Sequence, residues 1–88
     1  MNNMNRKELE HKLKDLDINP NQYSLFGELI PDSIILYENY GNWEVFYLDE
    51  RGARNDEKIF KQEKEACLYI YRLFKESKKI QIKFNLRS

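Results

Sequence analysis

Reactive side chains are nearly absent from this sequence. Cys67 is its one cysteine, so no disulfide can close within the chain, and His11 is its one histidine, so no pair of imidazoles can grip a metal. Three glycines are too few for a loop that cradles phosphate through its backbone, and no nucleophile elbow occurs. No apolar run reaches the ~18 residues that a bilayer crossing needs, and Met1 to Glu8 carries no apolar core of an export signal. With a lone cysteine besides, the expectation is a cytoplasmic protein without membrane association. Charged residues make up 34% of the chain but alternate in sign, which argues against a disordered polyelectrolyte.

The few groups with reactive chemistry are badly placed for it. Cys67 falls on the apolar face of an expected helix, where a thiol acts as a small apolar filler. His11 lies off the leucine stripe of another helix, with no second ligand or nucleophile for company. Asp49 and Glu50 are adjacent, so on a strand they point to opposite faces and cannot share acid–base work. No enzyme, no metal and no cofactor is expected.

What the chain does have is large apolar side chains. Hydrophobic residues at 41%, with 14% aromatic, suffice for a single compact domain over residues 1–88, near the lower size at which a chain folds unaided. The stretch Trp43 to Gly52 is its centre. Trp43, Val45 and Tyr47 share one face and Glu44, Phe46 and Leu48 the other, so the spacing predicts a central strand with apolar cover on both sides. Ser33 to Tyr40 reads as the strand before it, joined through a tight hairpin in which Gly41 and Asn42 are the residues that tolerate positive φ. Arg51 to Asn55 reverses the chain again, and Glu57 to Phe60 makes a third, shorter strand, completing a meander over 33–60. Tyr23 to Gly27 reads as a short edge strand or a packed loop.

Helices flank this meander. Leu9, Leu13 and Leu16 mark a helix over 5–16, capped by Asn5 and stopped ahead of Pro20. Ala66, Ile70, Leu73 and Ser77, with Cys67 and Phe74 beside them, mark a helix over 63–77 that lies on the sheet. Beyond it, Ile80, Ile82, Phe84 and Leu86 alternate with polar residues, which predicts an edge strand over 80–86 that pairs with its own sheet or with a second copy of the chain as a homodimer. The fold class expected is α+β: an antiparallel meander of three to five strands packed by one long C-terminal helix and a shorter N-terminal helix.

Overall neutrality hides a polarised chain. Glu28 to Glu57 sets eight acids against Arg51 and Arg54, and Lys58 to Ser88 sets nine bases against three acids. Such an asymmetry produces a directional field that favours partners of opposite charge.

One motif string goes further than composition. Tyr23-Ser24-Leu25 followed by Gly27, then Trp43-Glu44-Val45-Phe46-Tyr47, then Glu50-Arg51-Gly52, then Phe60, and then Glu63 with Glu65-Ala66-Cys67 and Tyr69, resembles a family of small bacterial immunity proteins encoded beside secreted polymorphic toxins. The resemblance covers roughly residues 18–74. Where such proteins often carry Ser or Asp ahead of the second helix this chain has Lys61-Gln62, and its alternating tail after Ser77 departs from the pattern. The resemblance implies a cytoplasmic inhibitor that binds a cognate toxin domain, often a basic nuclease, and blocks its active site or substrate channel. The contact residues expected are Glu38, Tyr40, Trp43, Glu44, Asp49, Glu50, Asp56 and Glu57, around the two strand turns. Two alternatives remain: an interaction module self-associating through residues 80–86, and, more weakly, a nucleic-acid binder using Tyr69, Tyr71 and the C-terminal bases. The acidic sheet region counts against the second.

Overall fold

The computed structural model of the chain describes residues 4–85, with side chains as far as Ser77. Its first helix, α1 (Arg6–Asp15), starts where a cap allows it: the Asn5 side chain accepts the Glu8 backbone N–H at 2.9 Å. Leu9 and Leu13 are fully buried. The helix stops before Pro20 can act. Asp17 takes a positive φ of 60°, its N–H donates to the Lys14 carbonyl, and the Ile18 N–H donates to the Leu13 carbonyl, with Leu13 and Ile18 meeting in the core. That pair of bonds is a Schellman stop made with aspartate in place of glycine.

A short 3-10 turn, Pro20–Gln22, leads into a four-stranded sheet of order β1 (Tyr23–Ser24), β2 (Ser33–Asn39), β3 (Asn42–Leu48) and β4 (Arg54–Phe60). The expected meander over 33–60 is present, but the sheet is mixed: β1 runs parallel to β2, with Tyr23 opposite Ile34. Gly27, at φ +89°, and Asp32, at φ +63°, turn the chain between them so that β2 sets off in the direction of β1. The β2–β3 hairpin turns one residue earlier than the sequence predicts. Tyr40 and Gly41 carry the positive φ values, 52° and 84°, and Asn39 pairs with Asn42. These are the dihedral signs of a type I′ turn.

β4 begins earlier than expected because a bulge lets it. Val45 pairs with Lys58 and Tyr47 with Asn55, so Phe46 alone faces both Asp56 and Glu57, and Asp56 absorbs the extra residue at φ +55°. β4 is an edge strand, exposed from Arg54 to Ile59; its charges and its bulge guard that edge against further pairing.

The sheet is apolar on both faces, as the Trp43–Leu48 pattern predicts. On one side Leu36 and Val45 pack with Leu9, Leu13, Tyr23, Ile70 and Phe74 of the helical layer. On the other, Ile35, Phe46 and Leu48 form a second small cluster beside Tyr37. No helix covers this cluster among the described residues. The Arg54 guanidinium lies 4.4 Å above the Phe46 ring, and the loop after β1 returns against Tyr37 at Gly27.

The last helix corrects two expectations. α2 runs without interruption over Glu63–Asn85, so residues 80–85 are helical and the expected edge strand over 80–86 does not form; Leu86 lies outside the described residues. No glycine or proline stands between Glu63 and Asn85 to stop a helix once started, and extension costs far less than nucleation. A homodimer paired through that strand loses its structural basis. The buried stripe of α2 is Ala66, Cys67, Ile70 and Phe74, whereas Leu73 and Ser77 are exposed, a rotation from the face expected. Arg6 ties the two helices together: its backbone N–H and its Nε both reach Glu63 Oε2, at 3.0 and 3.3 Å, and its guanidinium lies over Phe26 and Trp43.

Candidate interaction surface

The acidic residues gather at one end of the sheet because the strand register puts them there. Ser33 pairs with Leu48, so the residue before one, Asp32, and the residue after the other, Asp49, emerge at the same edge. Asp49 organises the β3–β4 turn. Its Oδ1 accepts the N–H groups of Arg51 and Ala53, both at 2.9 Å, and its Oδ2 accepts Asn55 Nδ2 at 3.3 Å. Those bonds, the one from Ala53 foremost, hold its carboxyl below the usual carboxylate range. The Tyr47 hydroxyl donates to Asp32 Oδ1 at 3.1 Å. That hydrogen bond, followed by desolvation and the charges of Asp32, Asp49 and Glu50, pushes the phenol above its ordinary value. Three carboxylates therefore act on one ring. Asp56, on the bulge, lines a groove with Tyr47. Among the described residues no ion pair engages Asp32, Asp49, Glu50 or Asp56.

The other expected contact residues lie elsewhere. Glu38, Tyr40 and Trp43 belong to the opposite turn, about 20 Å away along the seven residues of β3. Tyr40 is 99% exposed at the tip of that turn. Trp43 is half-buried at the rim of the core beneath Arg6. Glu44 and Glu57 both face Arg54, at 3.6 and 3.8 Å, and Glu44 also accepts Asn39 Nδ2 at 3.0 Å, so their charge is answered within the fold. The eight residues do not form one patch. Asp49 and Glu50 do lie together at Tyr47, joined by Asp32, which the sequence does not single out, whereas Asp56 sits on the bulge in the groove beside that ring. A two-residue turn at Tyr40-Gly41 fixes a register from which the position of Asp32 beside Asp49 follows; placing the turn one residue late hid it.

Among the described residues no group of three or more His, Cys, Asp or Glu is arranged to hold a metal ion. Burial pushes the Cys67 thiol up to about 12, which leaves it an apolar filler at neutral pH. No described helix is long and apolar enough to cross a membrane. No protein-family model matches the chain, and neither curated proteins nor solved structures yield a significant match. The resemblance to immunity proteins therefore stands on the motifs quoted above.

Proposed function

We propose that this protein is an immunity protein that docks its acidic sheet end onto the basic surface of a cognate toxin domain, a nuclease by preference, and blocks access of substrate. The observation that carries this reading is the set of three carboxylates, Asp32, Asp49 and Glu50, that act on Tyr47 at one end of the sheet, none of them in an ion pair among the described residues. A nuclease channel must be electropositive to hold phosphates, and an anionic surface competes for the same field. Opposite potentials also speed the encounter, which matters for an inhibitor that must meet its toxin before substrate does.

The test is co-purification with the toxin-like product of the neighbouring gene, together with rescue of cells that express it. A stable complex and restored growth support the reading; absence of both ends it. The electrostatic component is separable. Asp32→Lys combined with Glu50→Lys is expected to slow association by about tenfold at low salt, and by less as salt screens the field. An unchanged on-rate measured by stopped flow removes the acidic end from the mechanism.

A further inference from the structure

α2 leaves β4 near Trp43 and travels toward the acidic end, passing Tyr47 at Leu73. Because β4 bulges at Asp56, sheet and helix do not close completely there. A groove of about 350 Å³ remains, with Ile34, Val45 and Leu73 as its apolar wall, Tyr47 and Tyr69 as its rings, and Asp56 with Lys58 as its charged lining. Its apolar surface is incompletely covered in the isolated chain: Leu73 is 37% exposed, and both tyrosines are half-buried. Tyr47 joins the groove to the acidic end through its hydroxyl on Asp32. Among the described residues Asp56 is the one carboxylate lining the groove and Lys58 the one cation, with no ion pair between them, and Asp32 adjoins through the Tyr47 hydroxyl.

An apolar slot with aromatic sides and a negative mouth suits a long aliphatic stem that ends in a cation. Arginine fits better than lysine, since its planar guanidinium stacks on a tyrosine ring and forks onto a carboxylate, while its methylenes lie along Val45 and Leu73. We propose that this groove seats an arginine side chain presented by the basic partner. The proposal rests on the docking reading above and specifies the chemistry that the acidic end recognises.

The groove can be tested without the partner. The full-length protein is titrated with n-butylguanidinium, an arginine side chain with its Cα kept as a methyl group, and followed by amide-resolved NMR. Saturable shifts confined to Val45, Tyr47, Asp56 and Leu73 are expected. The neutral isostere n-butylurea should bind about tenfold more weakly or not at all, and n-butylammonium should fall between them. Asp32→Asn with Asp56→Asn should weaken n-butylguanidinium by about tenfold with the rest of the spectrum unchanged, because both carboxylates are exposed and asparagine tolerates the positive φ at both positions. Scattered or unsaturable shifts, equal binding of n-butylurea, or equal binding of n-butylammonium each overturn the proposal. A toxin complex that forms and rescues cells while the groove ignores the guanidinium also overturns it, and leaves the docking reading standing. A groove that binds n-butylguanidinium in a protein that captures no toxin has the reverse meaning.

Discussion

Tyr40→Asn separates what the fold needs from what a partner needs. Tyr40 sits at the first central position of a type I′ hairpin, at φ +52°, where asparagine and glycine are the favoured residues. Its side chain is 99% exposed, so its removal takes almost no packing from the fold. The left-handed region costs an ordinary L-residue roughly 1–2 kcal/mol, and asparagine recovers much of this through local hydrogen bonding. The substitution is therefore expected to stabilise the domain by about 1 kcal/mol, which in a protein of this size raises Tm by roughly 4–8 °C. Thermal unfolding followed by circular dichroism, with a urea midpoint as a second measure, reads this directly. An unchanged or lowered midpoint with an unchanged m-value would refute the strain argument. The same variant has a second readout. If Tyr40 touches the toxin as an aromatic anchor, its loss should weaken the complex by roughly 2 kcal/mol, or about thirtyfold in Kd. A more stable protein with undiminished affinity would place the interface entirely at the acidic end.

Arg54→Ala is expected to destabilise the fold by about 1–2 kcal/mol in urea, through loss of the guanidinium roof over Phe46 and of the ion pairs to Glu44 and Glu57, all partly screened by solvent. By freeing those two carboxylates it should also hasten association with a basic partner at low salt. Asp49 gives the acid limb of stability its shape. Its folded carboxyl is held below its unfolded value of ~3.9, so its contribution is present above about pH 4 and is lost as pH falls through the folded value. Asp49→Asn should therefore lower the urea midpoint at neutral pH and flatten its fall in acid; a fall as steep as in the parent protein contradicts the assignment. Cys67 behaves oppositely. Its folded value lies near 12 and above the unfolded ~8.5, so its contribution is present below about pH 8.5 and disappears as pH climbs toward the folded value. In the native protein it should resist a thiol reagent at neutral pH and react once urea unfolds the chain; rapid native labelling would refute its burial.

Much of the fold was legible because its signals are local. The Asn5 cap, the Leu9/Leu13 stripe, the Gly41 turn and the alternation from Trp43 to Leu48 each state a preference that the tertiary structure keeps. The failures occur where two local preferences compete and only packing decides. Ile80 to Asn85 alternates like a strand, yet nothing breaks the helix that arrives from Ser77 and the guarded edge of β4 offers no partner. The parallel pairing of Tyr23 with Ile34 spans an irregular loop and carries no periodic signature. Of the interaction surface, the charge asymmetry was readable but its geometry was not. Glu44 and Glu57 look like Glu50 in the sequence, and only the register of β3 against β4 brings Arg54 to Glu44, while Glu57 meets Arg54 within the bulged β4 and Glu50 is left exposed.

Where this chain departs from what its fold prefers is informative. Tyr40 occupies a position suited to asparagine, Asp56 holds a left-handed bulge that glycine would relieve, and Asp32 is brought to the same sheet end as Asp49 and Glu50, where like charges repel. None of these residues belongs to either core cluster, so none is needed to fill it. Stability comes instead from Leu9, Leu13, Ile35, Phe46 and Ile70, all essentially inaccessible to solvent. Strain and repulsion confined to the surface are expected of positions that answer to something outside the molecule, and both flank Tyr47, Asp32 at its hydroxyl and Asp56 in the groove that it lines. On the docking reading proposed above, such features are held in place by a core that does not depend on them. Neutralising Asp32 and Asp56 should then make the isolated domain no less stable while weakening the proposed complex.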